Sequence, residues 1–539
     1  MFIVLKPYFA TFHFMTTMRF LFVLVLIPIN VFSQQIIQKT FVGDYTDAGL
    51  TITSTFDQNC LIGGFTTSFP PFNGKDAMLI KADAFGNIVW TKVFTNNFLG
   101  TDIGSIIPLE DSSIILFGRD LSYAFKLDQQ DNLIWSRVYL NSLAALRIYK
   151  AVKNNDGGFL LIGESSSLTS DSIFASITKI DSFGNFQWSK KYSLRQYSFG
   201  NSIVRNENQN LFIIGNTAND SVPIVDYDVF LLEIDSAGNP MWCKTYSSPK
   251  QDYASNLYLD ADRKIIIGGS VEGAAQIDRQ AFLIKTDTTG NIIWSKTYRG
   301  AGPVECSQML ISEDNYLLSG FTVFQGYSDA ILIKTDTAGN LLTFQPFGTG
   351  TPDYINFMTW GGDSSLLLTG YHSDASFLGG DVLFCKTDTL LNLGCTYNDP
   401  NASSSLVNLS TSAQQVLVED VLLTDSTFTL TEALVTLGDT TICRTATTII
   451  SNNNEQDIKI FPNPFSDYFN LVFFDKMVGK DAMLEILNYT GQKQKQVKIE
   501  STEKIVTIST HDLPSGIYLC NVLFENQVKY SFKIICISP

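Results

Sequence analysis

Charge and histidine are both scarce in this chain. Only 17% of its 539 residues are charged, and only three are His. His13 falls in an apolar leader, leaving His372 and His511, too few for a three-His metal centre; no His-Glu-x-x-His motif is present either. The sequence has no Gly-x-Ser-x-Gly elbow and no Gly-Lys-Ser/Thr phosphate loop, which removes two common signatures of hydrolytic and nucleotide chemistry. Cys-x-x-Cys is absent, so the eight Cys suggest neither a zinc ribbon nor a dithiol redox centre. Lys and Arg number 37 against 53 Asp and Glu, a net charge of −16 with no basic run. Such a chain is a poor partner for nucleic acid or anionic lipid. Beyond the leader no apolar run approaches the ~18 residues of a spanning helix, so no transmembrane helix is expected in the mature chain. Helix-period patterns are also hard to find, while Phe (40 residues), Thr and Ile abound, as in an all-β protein.

What fills the sequence is one recurring phrase, best seen at Lys285-Thr286-Asp287-Thr288-Thr289-Gly290-Asn291-Ile292-Ile293-Trp294-Ser295-Lys296-Thr297-Tyr298. Its Asp recurs at Asp83, Asp128, Asp181, Asp235, Asp287, Asp336 and Asp388, with gaps of 45 to 54 residues. Trp90, Trp135, Trp188, Trp242 and Trp294 stand three places after the turn Asn, so five of the six Trp share one repeat position. Asp-x-x-Gly-Asn between apolar runs is hairpin chemistry, because Gly and Asn accept positive φ and Asp bonds the backbone ahead of it. A second hairpin precedes each phrase, ending in an apolar run and Gly, as in Ile266-Ile267-Gly268. Two hairpins per period make one four-stranded sheet, which cannot bury its faces alone. The expected architecture is a seven-bladed β-propeller over 34–398. An open solenoid of the same repeats competes with it. Closure favours the ring: the seventh copy lacks its exit strand, and Gln38-Lys39-Thr40-Phe41-Val42-Gly43 near the start resembles the missing piece.

The flanks follow. Arg19 and the run Phe20 to Ile27 form an export signal over 1–33, with Val31-Phe32-Ser33 as the cleavage site and an uncleaved anchor as the alternative. Residues 399–456 read as either a small β appendage or a semi-extended connector. Cys395 with Cys443, and Cys520 with Cys536, are candidate disulfides, with buried free thiols the alternative.

The module at 457–539 carries three separated motifs: Ile460-Phe461-Pro462-Asn463-Pro464-Phe465, Asn488-Tyr489-Thr490-Gly491-Gln492 and Leu513-Pro514-Ser515-Gly516-Ile517-Tyr518. Taken on their own, these are the turns and strands of a small Ig-like β-sandwich. In this order they resemble the type A C-terminal sorting domain of the type IX secretion system of Bacteroidetes. The resemblance implies that Pro462, Asn463, Pro464, Gly491, Leu513, Pro514, Gly516 and Tyr518 form the sorting motif. It also implies that the secretion machinery is a partner, and that the protein ends on the cell surface or released.

For chemistry, the carboxylates are the interesting set. Asp102, Asp252, Glu305 and Asp353, with Asp47, stand just before the first strand of their repeats, where a propeller has its channel mouth. Such a ring would bind a ligand or Ca²⁺, or supply the carboxylate pair of a glycosidase; turn-capping and inter-blade bonding would also account for it. No cofactor and no catalytic residue are assigned. The first reading is a binding protein for a polysaccharide or protein, with loops 66–75, 164–171, 216–226, 271–280 and 372–380 carrying specificity. The second is an extracellular glycan hydrolase.

Overall fold

The computed structural model describes residues 36–536, with breaks in loops of which the longest is 444–457; the leader lies outside it. Among the described residues there is no helix. The first strand, β1 (Ile37–Val42), is followed by an antiparallel meander of β2 (Asp47–Ser54), β3 (Cys60–Thr66), β4 (Asp76–Ala82) and β5 (Ile88–Thr95). The same four-strand unit recurs with inner strands Ser105–Pro108, Ala144–Lys153, Tyr197–Arg205, Gln251–Leu259, Val304–Ile311 and Asp353–Trp360. We number these units one to seven as blades. The seventh has only three strands of its own, and β1 supplies the fourth, with Lys39 opposite Phe384 and Phe41 opposite Val382. β2 packs on the strands of the seventh unit, and Asn356 Nδ2 donates to Gly49 O at 2.8 Å across that seam, so the ring closes. The fold is an all-β propeller.

The repeated phrase joins each blade to the next. Within the turn, Asp287 Oδ1 accepts from Thr289 N at 2.9 Å and Asn291 N at 2.8 Å. Gly290 adopts φ +77°, the left-handed conformation that suits glycine. A Cβ there would lie 2.9 Å from the Trp242 ring of the preceding blade. That blade reaches the turn three times: Trp242 packs over it, Lys244 Nζ donates to Asn291 Oδ1 at 2.7 Å, and Tyr246 Oη donates to Gly290 O at 2.8 Å. The tyrosine bond recurs from Tyr139 to Gly184, Tyr192 to Gly238 and Tyr298 to Gly339. All four rings are at most 2% exposed. Blades one and seven place Phe94 and Phe41 here, without the hydroxyl.

Residues 403–443, read from sequence as a small β appendage or a semi-extended connector, form short strands laid against the propeller. Six short strands beginning at Ser403, Ser410, Leu417, Thr424, Thr431 and Gly438 pair with the outer strands of blades five, four, three, two, one and seven, in that order. Before them Thr396 bridges to Phe347 of blade six. The chain therefore runs back around the rim as a belt, advancing seven residues per blade. Ala402, Leu409, Val416, Leu423, Leu430 and Leu437 recur at that spacing, and each packs into the core of one blade-to-blade cleft. Seven extended residues reach ~23 Å, and that length carries the belt from one outer strand to the next. The belt covers edges that would otherwise offer unpaired backbone.

The C-terminal module is two sheets. One holds Ile458–Phe461, Tyr468–Phe473 and Ile505–Ser509; the other holds Lys493–Ile499, Ala482–Leu487, Gly516–Phe524 and Gln527–Cys536. Phe469, Leu471, Leu484, Ile486, Ile508, Cys520 and Val522 form their shared core. Leu513 and Tyr518 are buried there, whereas Pro462, Asn463, Pro464, Gly491 and Pro514 lie outside the described residues. Of the two alternatives for Cys520, a disulfide with Cys536 or a buried free thiol, the structure shows the thiol: Cys520 is buried and free opposite Phe532, and Cys536 stands opposite Gly516. The strand register separates the two by four residues, beyond the reach of a disulfide. Cys395 and the side chain of Cys443 lie outside the described residues.

Two outcomes are expected. Tyr246→Phe leaves Gly290 O without its buried donor and lowers the unfolding free energy by ~1–2 kcal/mol in denaturant titration. A chain ending at 398 self-associates on gel filtration more than one ending at 450, because only the longer one keeps its belt.

Candidate functional site

The inner strands of six blades carry a β-bulge, each inserting one extra residue: Leu50, Tyr149, Asn201, Ser255, Ser307 and Asn356. A bulge bends its strand and re-aims a side chain. These six residues line a cavity of about 760 Å³ along the propeller axis. Some of them brace the ring: Asn201 Nδ2 donates to Ala254 O at 2.5 Å, and Ser255 Oγ donates to Cys306 O. Part of the channel's polarity is thus structural.

The carboxylates singled out by sequence divide into two rows. Asp47, Asp102, Asp252 and Asp353 stand three residues before Leu50, Ser105, Ser255 and Asn356, and all are at most 2% exposed. They hold loops. Asp47 accepts from Ser68 Oγ at 2.9 Å, Asp102 from Arg119 N at 2.8 Å, and Asp252 from Ser248 N at 2.7 Å. Asp353 Oδ1 lies 2.6 Å from His372 Nδ1. Burial raises the carboxyls of Asp47 and Asp102, and pushes Asp252 up to about 7, against bonds from Ser248 that lower it. Glu305 is different. It stands two residues before Ser307, and in a strand a one-residue offset reverses the face. Its side chain is 34% exposed and lines the cavity, ion-paired with Arg279, whose other nitrogen lies 2.8 Å from Glu272.

The row that Glu305 joins is Arg147, Phe199, Tyr253, Glu305 and Tyr354, each two residues before a bulge. Around it the rings form an arc. Tyr149 lies 6.4 Å from Phe199, Phe199 5.7 Å from Tyr227, and Tyr227 5.5 Å from Tyr253, centroid to centroid. In blades six and seven Phe321, Tyr354 and Tyr371 form a second cluster at 4.8 and 6.2 Å. Arg119 rests over the Tyr149 ring at 5.7 Å, and Tyr149 Oη donates to Glu164 Oε2 at 2.8 Å. Sequence reading picked out Glu305 in this row and missed its aromatic members. Their signal was present: an aromatic directly follows Asp252 and Asp353, on the opposite face of the strand from them. Of the loops expected to carry specificity, 66–75, 164–171, 216–226, 271–280 and 372–380, the described ends adjoin the strands at this same end, and the remainder lies outside the described residues. Among the described residues no group of three or more His, Cys, Asp or Glu gathers as a metal site. His511 lies outside them.

Residues 459–537 match the family model of the secretion system C-terminal sorting domain. The chain is an export substrate. That sorting domain indicates delivery to the cell surface or secretion, and engagement by the type IX machinery; no helix of the described residues is long and apolar enough to cross a membrane. No curated protein matches the chain in sequence. Among solved structures it is similar to a streptogramin B lyase (13% identity, 66% of this chain and 98% of that one, TM-score 0.40). It is also similar to YCF48 from Cyanidioschyzon merolae (11% identity, 65% and 98%, TM-score 0.39). These likenesses concern the propeller fold and carry no chemistry to this chain.

Asp252 yields a pH prediction. Its folded carboxyl is raised from near 4 to about 7, so the folded state holds more protons than the unfolded one between those values. The stability it contributes is full below pH ~4 and is lost as pH rises through about 7. Asp252→Asn, neutral throughout, is expected to remove that loss, so its melting temperature gains on wild type as pH rises from 5 to 8.

Proposed function

We propose that this exported propeller is a binding protein whose channel mouth takes an extracellular glycan. The aromatic arc from Tyr149 to Tyr253 carries the reading. Aromatic rings on a rigid strand framework offer apolar faces to the C–H faces of sugars. Ser307, which lines the same cavity, offers a hydroxyl for hydrogen bonding to the sugar. Arg279, held by Glu272 and Glu305, adds a charged polar cluster at the same mouth.

A hydrolase would need one carboxyl kept protonated and a second placed against it. Here Glu272 and Glu305 share one guanidinium, an arrangement better suited to holding a ligand than to protonating a leaving group.

A glycan array probed with the full mature chain, with and without Ca²⁺, tests the reading. Binding is expected, and Tyr253→Ala and Phe199→Ala should each weaken it about tenfold, the equivalent of ~1.4 kcal/mol. A folded wild type that binds no glycan, or alanine variants that bind as wild type does, would overturn it. Release of reducing ends that stops in Glu305→Gln would favour the hydrolase.

A further inference from the structure

Among the described residues, the lining of the channel cavity holds one cation more than its carboxylates match. Its charged lining is Arg119, Lys150 and Arg279 against Glu272 and Glu305, one cation in excess. This stands out in a chain whose net charge is −16. Arg279 is matched by the two Glu, and Arg119 is exposed at the rim. Lys150 has no such match. It follows the bulge residue Tyr149, and its side chain runs from blade three past blade four to blade five. There Nζ donates to Ser202 Oγ at 3.0 Å and Asn256 Oδ1 at 3.2 Å, and lies 5.5 Å from the centre of the Tyr258 ring. All three neighbours are neutral.

Among the described residues no ion pair involves Lys150. An ammonium has three donors, and the two bonds just named use two of them. Lys150 is half-buried, and with no carboxylate to offset its desolvation the amine is lowered to about 8. A strut between blades has no need of charge, and keeping one here without a partner is costly. A bound anion would supply the missing partner.

We infer that the Lys150 ammonium is an oxyanion subsite within the channel, taking the carboxylate or sulfate of an acidic sugar whose rings lie on the aromatic arc. This rests on the glycan reading for the sugar, and on Lys150 alone for the anion. The group packed on Lys150 that can itself titrate is Tyr258, while Arg119, Arg279, Glu272 and Glu305 are the other charged groups of the cavity. Burial raises the Tyr258 phenol to about 12, clear of the range in which the lysine changes charge.

Calorimetry on the full mature chain at pH 7 tests the subsite, with an oligogalacturonate, its uncharged methyl ester, a sulfated oligosaccharide and free inorganic sulfate as probes. The acidic sugar is expected to bind about tenfold more tightly than its ester, as a charge-assisted hydrogen bond would give. Comparing the uronate and sulfated arms identifies which oxyanion is preferred. Lys150→Met should abolish the preference while leaving ester binding in place. In the wild type the preference should fade as pH rises through about 8 and beyond. The pH series stands by itself if the Met variant does not fold. Equal binding of acid and ester, or a preference that survives both Lys150→Met and pH 10, overturns the subsite and leaves the glycan reading intact. Sulfate binding that depends on Lys150, with no sugar bound at all, supports the subsite and overturns the glycan reading.

Discussion

The contact on which this molecule depends is the one between the Trp, Lys and Tyr of one blade and the Asp-x-x-Gly-Asn turn of the next. A four-stranded sheet has two faces to bury and little core of its own. The turn solves this by acting as a socket. Asp fixes its backbone, glycine leaves room for an indole, and its carbonyl accepts a tyrosine hydroxyl that would otherwise be buried without a partner. One phrase therefore encodes both a hairpin and the interface that repeats it, so the same residues recur although each touches a different blade.

Edges are the second constraint, and the chain meets it twice. β1 completes the seventh blade, so the ring closes on a strand from the opposite end of the repeat. The belt then covers the outer strands, and its last strand lies against β1 itself, with Lys39 paired to Asp439 at 2.8 Å. Lys92 with Glu432 and Lys190 with Asp420 repeat the pairing elsewhere on the rim. Such surface pairs add little energy singly and serve more to set register. For a protein delivered to the cell surface or secreted, strands laid along the outer edges of six of the seven blades limit association with other chains.

The channel shows how structural and ligand-directed polarity are kept apart. The Asp row is buried and engaged with loops; Phe199, Tyr253 and Glu305 of the adjacent row, one residue along, face the cavity with two aromatic rings and a carboxylate paired to Arg279. Strand geometry makes this division sharp, because neighbouring residues point to opposite faces. Four similar-looking carboxylates therefore do not share a role: Asp102, Asp252 and Asp353 hold the scaffold, and Glu305, displaced by one residue, meets the cavity.

Much of this was legible in the sequence, because repeats report on backbone and interface requirements that recur in every copy. The turns, the shared Trp position, the borrowed first strand and the sorting module could all be read from residue identities and their spacing. The belt could not, although its seven-residue period from Ala402 to Leu437 was there to be counted. A lone apolar residue every seventh position has no meaning until the surface that receives it exists. The same holds for the channel. Tyr149, Phe199, Tyr227 and Tyr253 come from three blades, and Lys150 meets Asn256 across 106 positions of sequence. The sequence by itself determined the strands, their turns and the docking of each blade on the next, since those are local or periodic. Only the closed ring decided which side chains converge on the axis, because convergence depends on bulges and on strand faces that no single repeat displays.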